Sequence, residues 1–241
     1  MLSNRAGIEF GAKHAEGIFV VGSSPHMIAP RVKAIRDKAA EFGRDPRSIK
    51  VFASITPVIG VTREEAERKF EEAKKYASEE GDLVYWCANT GIDLSKFDPD
   101  KGIIEQLKYT GDPNVQIQSK VQNLAYKGDD VPVWTPNSLG KVVALGASGP
   151  VPVGTPSDIA DEIERWIDIA DLDGFNVGHI TAPGTWEDVV DLLVPELRKR
   201  GIYAPPGDSG TMRERVYGQG QSRLRDDHVG SQYKYEVYTE N

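Results

Sequence analysis

Cysteine is almost missing from this chain: Cys87 stands alone among 241 residues. That excludes an internal disulfide and any zinc site built on paired cysteines. With Val84, Tyr85 and Trp86 beside it, Cys87 reads as a packing residue and not as a reactive thiol. Long apolar runs are missing too. A membrane helix needs about 20 apolar residues in succession, and the run from Gly17 to Gly22 is far shorter. No signal-peptide apolar region opens the chain. The expectation is a soluble cytoplasmic protein with no membrane partner. Positive charge is in deficit, with 29 Lys and Arg against 37 Asp and Glu and a net charge of −8. Phosphate backbones call for clustered cations, so no nucleic-acid partner is expected. There is no P-loop, no GxGxxG fingerprint and no serine-nucleophile elbow. No spacing of His, Asp and Glu points to a metal.

What is present is clearest between Gly154 and Gly178. Thr155 suits a helix cap, Pro156 a first turn and Asp158 the acid of a capping box. Ile159, Ile163, Trp166 and Ile167 then share one helical face. Gly174-Phe175-Asn176-Val177-Gly178 reads as a short strand, buried on both faces as parallel strands usually are. Asn176 would then need hydrogen-bond partners or an open pocket. A further helix opens at Thr185 to Asp188, is lined by Val189, Val190, Leu193, Val194 and Leu197, and stops at Gly201. Trp166 and Trp186 fall on helix faces and read as core. Helix alternating with strand is the α/β pattern.

Upstream, Ala6 to Glu16 reads as a short helix on which Phe10 and His14 share a face. Gly17 to Gly22 is a buried strand, Pro25 to Pro30 a loop, and Val32, Ile35 and Ala39 begin a helix ended by Gly43. Ile49 to Gly60 makes a second strand, and Thr62 caps a charged helix from Arg63 to Tyr76. Between this helix and the next unit lies an insertion of about 78–152, too long for a plain connection. It carries helical patches at Ile103 to Tyr109 and Val115 to Tyr126. Trp86 and Trp134 in it are placed to line an apolar substrate pocket. The chain divides into 1–203 and a polar tail, 204–241, expected to wrap a surface or a partner subunit.

Several runs together carry a resemblance. They are AGIEFGAKHAEGIFV, GIDLSKFDPD, VGTPSDIADEIERWID, DGFNVG, PGTWEDVVDLLVPELRKRGIY and TMRERVYG, in that order. Over nearly its whole length the chain resembles the bacterial-luciferase-like flavin monooxygenases, in particular the nitrilotriacetate monooxygenase component A branch. The resemblance implies the C-terminal part of a TIM-type (β/α)8 barrel: about the last three strand–helix units, a long helical insertion before the last strand and an extended C-terminal tail. A complete barrel has eight strands, and three parallel strands alone would leave two unpaired edges.

The same resemblance implies a chemistry. Reduced FMN, supplied by a separate flavin reductase, would react with O2 to oxidise a small organic substrate. The family's phosphate loop falls on Ser3-Asn4-Arg5-Ala6-Gly7, so Ser3, Asn4 and Gly7 are the expected cofactor-binding residues, although Asn4 departs from the family's serine. Asn176 and His179 follow the strand end that faces a barrel's active side, and join Trp86 and Trp134 as expected pocket residues. His14 and Glu16 fall in a junction that reads as packing. No catalytic residue and no metal ligand is assigned. Three readings stay open: a portion of such a monooxygenase that needs an N-terminal half or a homo-oligomer, a non-catalytic remnant or association subunit, and a stand-alone small-molecule binding domain.

Overall fold

The structure, a computed structural model, describes residues 5–110, 119–128, 130–146, 149–204 and 210–233. Helix α1 (Arg5–His14) leads into strand β1 (Gly17–Val20), helix α2 (Pro25–Glu41) and strand β2 (Lys50–Ile55). The two-residue β3 (Val58–Ile59) and helix α3 (Arg63–Lys74) follow. The insertion contributes α4 (Glu79–Thr90), α5 (Ile103–Thr110), α6 (Ser119–Leu124) and α7 (Pro136–Gly146). Short β4 (Val153–Gly154), α8 (Pro156–Ala170) and β5 (Gly174–Val177) return the chain to the sheet. Then come α9 (Gly184–Asp188), a wider π turn at Val189–Leu193, α10 (Val194–Lys199) and α11 (Met212–Tyr217).

Strands β1, β2 and β5 form one parallel sheet in that order. Phe19 pairs with Phe52, Phe52 with Gly174, and Ser54 with Asn176. The expected strand from Ile49 to Gly60 is broken, because Pro57 has no N–H to give a ladder. From Thr56 onward, the N–H groups of Thr56, Val58 and Gly60 donate to the carbonyls of Pro150, Pro152 and Gly154 at 3.0, 2.9 and 3.1 Å. The second half of the strand thus leaves β5 and pairs in parallel with β4. The expected loop from Pro25 to Pro30 is instead the start of α2. Ser24 caps it, its hydroxyl accepting from the His26 N–H, and Pro25 sits in the first turn where no N–H is needed.

Helices cover one face of the sheet. Ile18, Val20, Val51 and Ala53 join Ile28, Val32, Ile35 and Trp166 in one core. The other face is open: Phe19 is 63% exposed, its ring 5.7 Å from that of Phe52, and Asn176 is exposed. The expectation that β5 is buried on both faces is therefore wrong. Phe175 and Val177 pack against the helix side, and Asn176 points away from it. The insertion has a core of its own, in which Trp86, Ile103, Leu124, Trp134 and Leu139 are buried together. Gly140 lets α7 press on α4, where an added Cβ would come within 3.2 Å of the Glu79 carbonyl.

Beneath the sheet, at the N-terminal end of its strands, sits Arg36, 7% exposed. Its Nε donates to Asp171 (3.0 Å), and its terminal nitrogens donate to Asp173 (2.8 Å) and to the carbonyls of Pro46 (2.8 Å), Ile49 (2.6 Å) and Asp171 (3.1 Å). Asp173 also accepts the Val51 N–H at 2.9 Å. Asp171 takes the left-handed conformation (φ 55) that ends α8. The tail folds back on the same end of the molecule. Arg213 grips Glu16 through two contacts of 2.8 and 2.6 Å, and the Tyr217 hydroxyl donates to the Glu16 carbonyl at 2.9 Å. Asp227 accepts the Asp45 N–H at 2.9 Å, and a His228 ring nitrogen lies 3.0 Å from the His14 carbonyl. Of the two surfaces expected for the tail, its described residues take the chain's own.

Two outcomes follow from this end of the molecule. Arg36→Leu leaves two carboxylates and three carbonyls short of a donor, and is expected to cost about 3–5 kcal/mol, read as a lowered denaturant midpoint. The second concerns pH. The Arg213 hydrogen bond holds the Glu16 carboxyl below its ordinary value of 4.5. Its contribution is complete above that value and is lost as pH falls through the lowered one. Acidification through that lowered value should therefore release the tail to limited proteolysis sooner than it unfolds the sheet, and Glu16→Gln should weaken the pH dependence of that release, leaving the part carried by Asp227.

Candidate functional site

Active groups of a parallel α/β sheet gather where its strands end, at their C-terminal edge. Here β1 runs into Val21 to Ser24, β2 into Thr56 and β5 into Gly178 and His179. Gly178 is required by the approach of β2, since an added Cβ would meet Thr56 Oγ1 at 2.5 Å. His179 then turns its ring against Trp186, 5.3 Å between centroids. Trp186 is 40% exposed, so the reading of it as core is corrected: it lies at the rim, on the first turn of α9. Thr185 fixes the turn between them, its hydroxyl accepting the N–H groups of Ile180 and Thr181, each at 3.3 Å.

The insertion is latched to the same edge. Asn123 donates to the Val21 carbonyl at 3.2 Å, and Arg31 donates to Val21 at 3.4 Å and to the Asn123 side-chain oxygen. The Ser24 hydroxyl donates to the Asp130 carboxylate. Burial pulls the Arg31 pKa down from its ordinary value, and among the described residues no carboxylate is paired with it. On the far side Lys69 ties α3 to α9, donating to Ile59 O (2.8 Å) and to both oxygens of Asp188 (2.9 and 2.8 Å). Burial opposes the Lys69 charge, but Asp188 and Glu65 outweigh it and raise the pKa above 10.5. A cleft of about 400 Å³ lies beside this bridge, between Pro57, Tyr76, Thr181 and Asp188.

The expected site residues are scattered. Asn176 and His179 share the open edge, with Ser54 beside Asn176. Trp86 and Trp134, 3% and 6% exposed, are buried in the insertion's own core. Trp86 is a packing residue there; Trp134 also borders a hollow of about 440 Å³. Ser3 and Asn4 lie outside the described residues, and Gly7 sits half-buried near the start of α1. Ser54, Arg31, Asn123 and Asp130 went unnoticed in the sequence, where nothing local brings them to one edge. Among the described residues no three His, Cys, Asp or Glu side chains cluster to hold a metal, and no helix is long and apolar enough to cross a membrane.

The open face fits a flat aromatic cofactor in part. Phe19 and Phe52 give an apolar wall, and Ser54 and Asn176 give adjacent polar groups. A phosphate is another matter. The N-terminus of α2, a helix start that could otherwise attract an anion, is capped by Ser24 and already faces Asp130. Any phosphate grip must come from elsewhere.

The contrast between neighbouring residues of β5 can be measured. Phe175→Ala removes a ring packed 6.5 Å from Trp166 and should cost about 2–3 kcal/mol, less than for a fully buried phenylalanine. Asn176→Leu removes an exposed amide and should leave the denaturation midpoint within about 0.5 kcal/mol of the unaltered chain.

The same topology recurs in known proteins. The sequence profile described as luciferase-like monooxygenase matches residues 2–172. The chain is 35% identical over 228 residues to dimethyl-sulfide monooxygenase of Hyphomicrobium sulfonivorans, covering 95% of this chain and 46% of that one. It is 37% identical over 228 residues to long-chain alkane monooxygenase of Geobacillus thermodenitrificans, with the same coverage of 95% and 46%. Among solved structures, riboflavin lyase with modified FMN and substrate riboflavin superposes with a TM-score of 0.78 at 33% identity, over 96% of this chain and 49% of that one. The chain thus spans about half the length of the relatives it matches. With its α/β fold and these matches, it belongs to the luciferase-like monooxygenase family.

Proposed function

We propose that this chain supplies the C-terminal strand–helix units of a TIM-type (β/α)8 barrel and acts, with the strands that complete it, as a two-component monooxygenase. Reduced FMN from a separate flavin reductase and O2 would oxidise a small organic substrate in the cytoplasm. The observation that carries this reading is the one-sided sheet. Helices cover one face, while Phe19 and Asn176 stand open on the other beside the half-buried Phe52. Parallel strands are normally covered on both faces. Further strands closing over this face would turn it into a barrel interior and satisfy both sheet edges. Residues 1–203 form the barrel portion in this reading, and 204–241 the tail that braces its lower end.

When bound, FMN supplies the oxygen chemistry. Ser3, Asn4 and Gly7, at and just before the start of α1, are the residues proposed to take its phosphate. Asn176, with Ser54 beside it, would orient a polar group at the end of β5. His179 and Trp186, their rings in tilted contact at the rim, would limit the entry of water. The insertion, latched through Arg31 and Asn123, would roof the same edge.

The test is complementation. Alone, the chain is expected to leave FMN fluorescence unchanged at micromolar protein and to add nothing to the spontaneous oxidation of free reduced FMN by O2. Co-expressed with the unmatched N-terminal half of the Hyphomicrobium dimethyl-sulfide monooxygenase, it should co-purify and quench FMN fluorescence. Tight FMN binding by the chain alone would overturn the need for a partner. A stable pair that ignores FMN would favour the association subunit.

A further inference from the structure

Two opposite charges border one hollow in the insertion without meeting. The hollow, about 440 Å³, lies between the start of α5, the end of α6 with the residues after it, and the segment that leads into α7. Glu105 and Lys127 both line it, and both are exposed. Among the described residues neither forms an ion pair, with the other or with a third group. Lys33, Lys69 and Lys101 show the contrast, each holding a carboxylate at 2.6, 2.8 and 2.9 Å.

The walls are built without these charges. The Ile103 N–H donates to the Trp134 carbonyl at 2.8 Å and so joins two of the three segments. Tyr126 is folded over Gly128, where an added Cβ would come within 2.7 Å of its hydroxyl, and glycine there lets the ring lie along the wall. Ile104, Leu124, Val133 and Trp134 make the lining largely apolar. The Glu105 carboxylate lies over Gly102, another lining residue, 3.6 Å from where a Cβ would stand. The volume falls within the range of small-molecule pockets, roughly 300–1,000 Å³.

We infer that this hollow binds a small zwitterion with both charges at one end and an apolar body at the other, the pattern of an α-amino acid with an apolar side chain. The ammonium group answers Glu105 and the carboxylate answers Lys127, while the side chain fills the apolar interior. A molecule with one charge would leave one of the two residues unanswered. Exposed ion pairs add little each, so burial of the body carries the affinity, and the two charges orient and select the ligand. The inference rests on no part of the flavin reading, and its test needs no FMN.

The test titrates the full isotope-labelled chain and follows the backbone amide signals of Gly128 and Val133, which border the hollow. Leucine should shift both in a saturable way. Isocaproate, which lacks the amine, isoamylamine, which lacks the carboxylate, and glycine, which lacks the apolar body, should each bind more weakly. Glu105→Gln and Lys127→Gln alter exposed side chains and should leave the fold intact. Each should weaken leucine about two- to fivefold. Isocaproate should bind Glu105→Gln no worse than the unaltered chain, since it makes no use of that carboxylate. No saturable shift with leucine would overturn the proposal, and so would an analogue that binds as tightly as leucine. Undiminished leucine binding in either variant would do the same; it is the result expected if Glu105 and Lys127 close on each other in solution.

Discussion

A single buried guanidinium holds the lower end of this molecule together. Arg36 stands on α2, but its acceptors come from the segment ahead of β2 and from the turn between α8 and β5. These are the elements that must be aligned for β2 and β5 to pair. The cation is buried at acceptable cost because each of its nitrogens meets a carboxylate or a carbonyl. Asp173 extends the link to the sheet by accepting the Val51 N–H. Where side chains on a helix, a loop and a turn share one charge, the register of the sheet is set from below, and its upper edge is left to chemistry.

That division of labour runs through the fold. The lower end is crowded with paired groups, including Glu16 and Arg213, Asp45 and Arg225, and Asp171 with Arg36 and Arg47. The upper edge carries the exposed amide of Asn176, the His179–Trp186 aromatic pair and the latch of the insertion. In the barrel proposed above, a braced lower end would leave the upper edge free to vary with the chemistry.

What could be read from the sequence was local. The capping box of Thr155 and Asp158 is present, with 2.8 Å from the Thr155 N–H to the carboxylate, and Thr62 caps α3 as its position suggested. Both signals act within one helical turn. The start of α2 was misread because Pro25 and Pro30 look like loop residues until Ser24 is seen as the cap. The Arg36 cluster is illegible in the sequence, since Asp171 and Asp173 do not say which cation they meet. Helix α4 is hard to read in the sequence because its apolar residues form no strong stripe, and α7 packs on it at Gly140. At the candidate site, the strand end carrying Asn176 and His179 was located. The exposure of Asn176 was not, because it depends on what covers the second face, a matter of tertiary structure.

The insertion's private core has a consequence for the order of folding. Val51 and Asp173 are 122 residues apart, yet they must meet before β5 can join the sheet. Closing so long a flexible loop is entropically costly and slow. A segment that first collapses around Trp86, Ile103 and Leu139 shortens the effective path between the two strands. Such a unit, if it formed first, would act as a foldon that hands its neighbours a nearly closed loop. By this route a long excursion in the chain becomes a way of bringing its ends together.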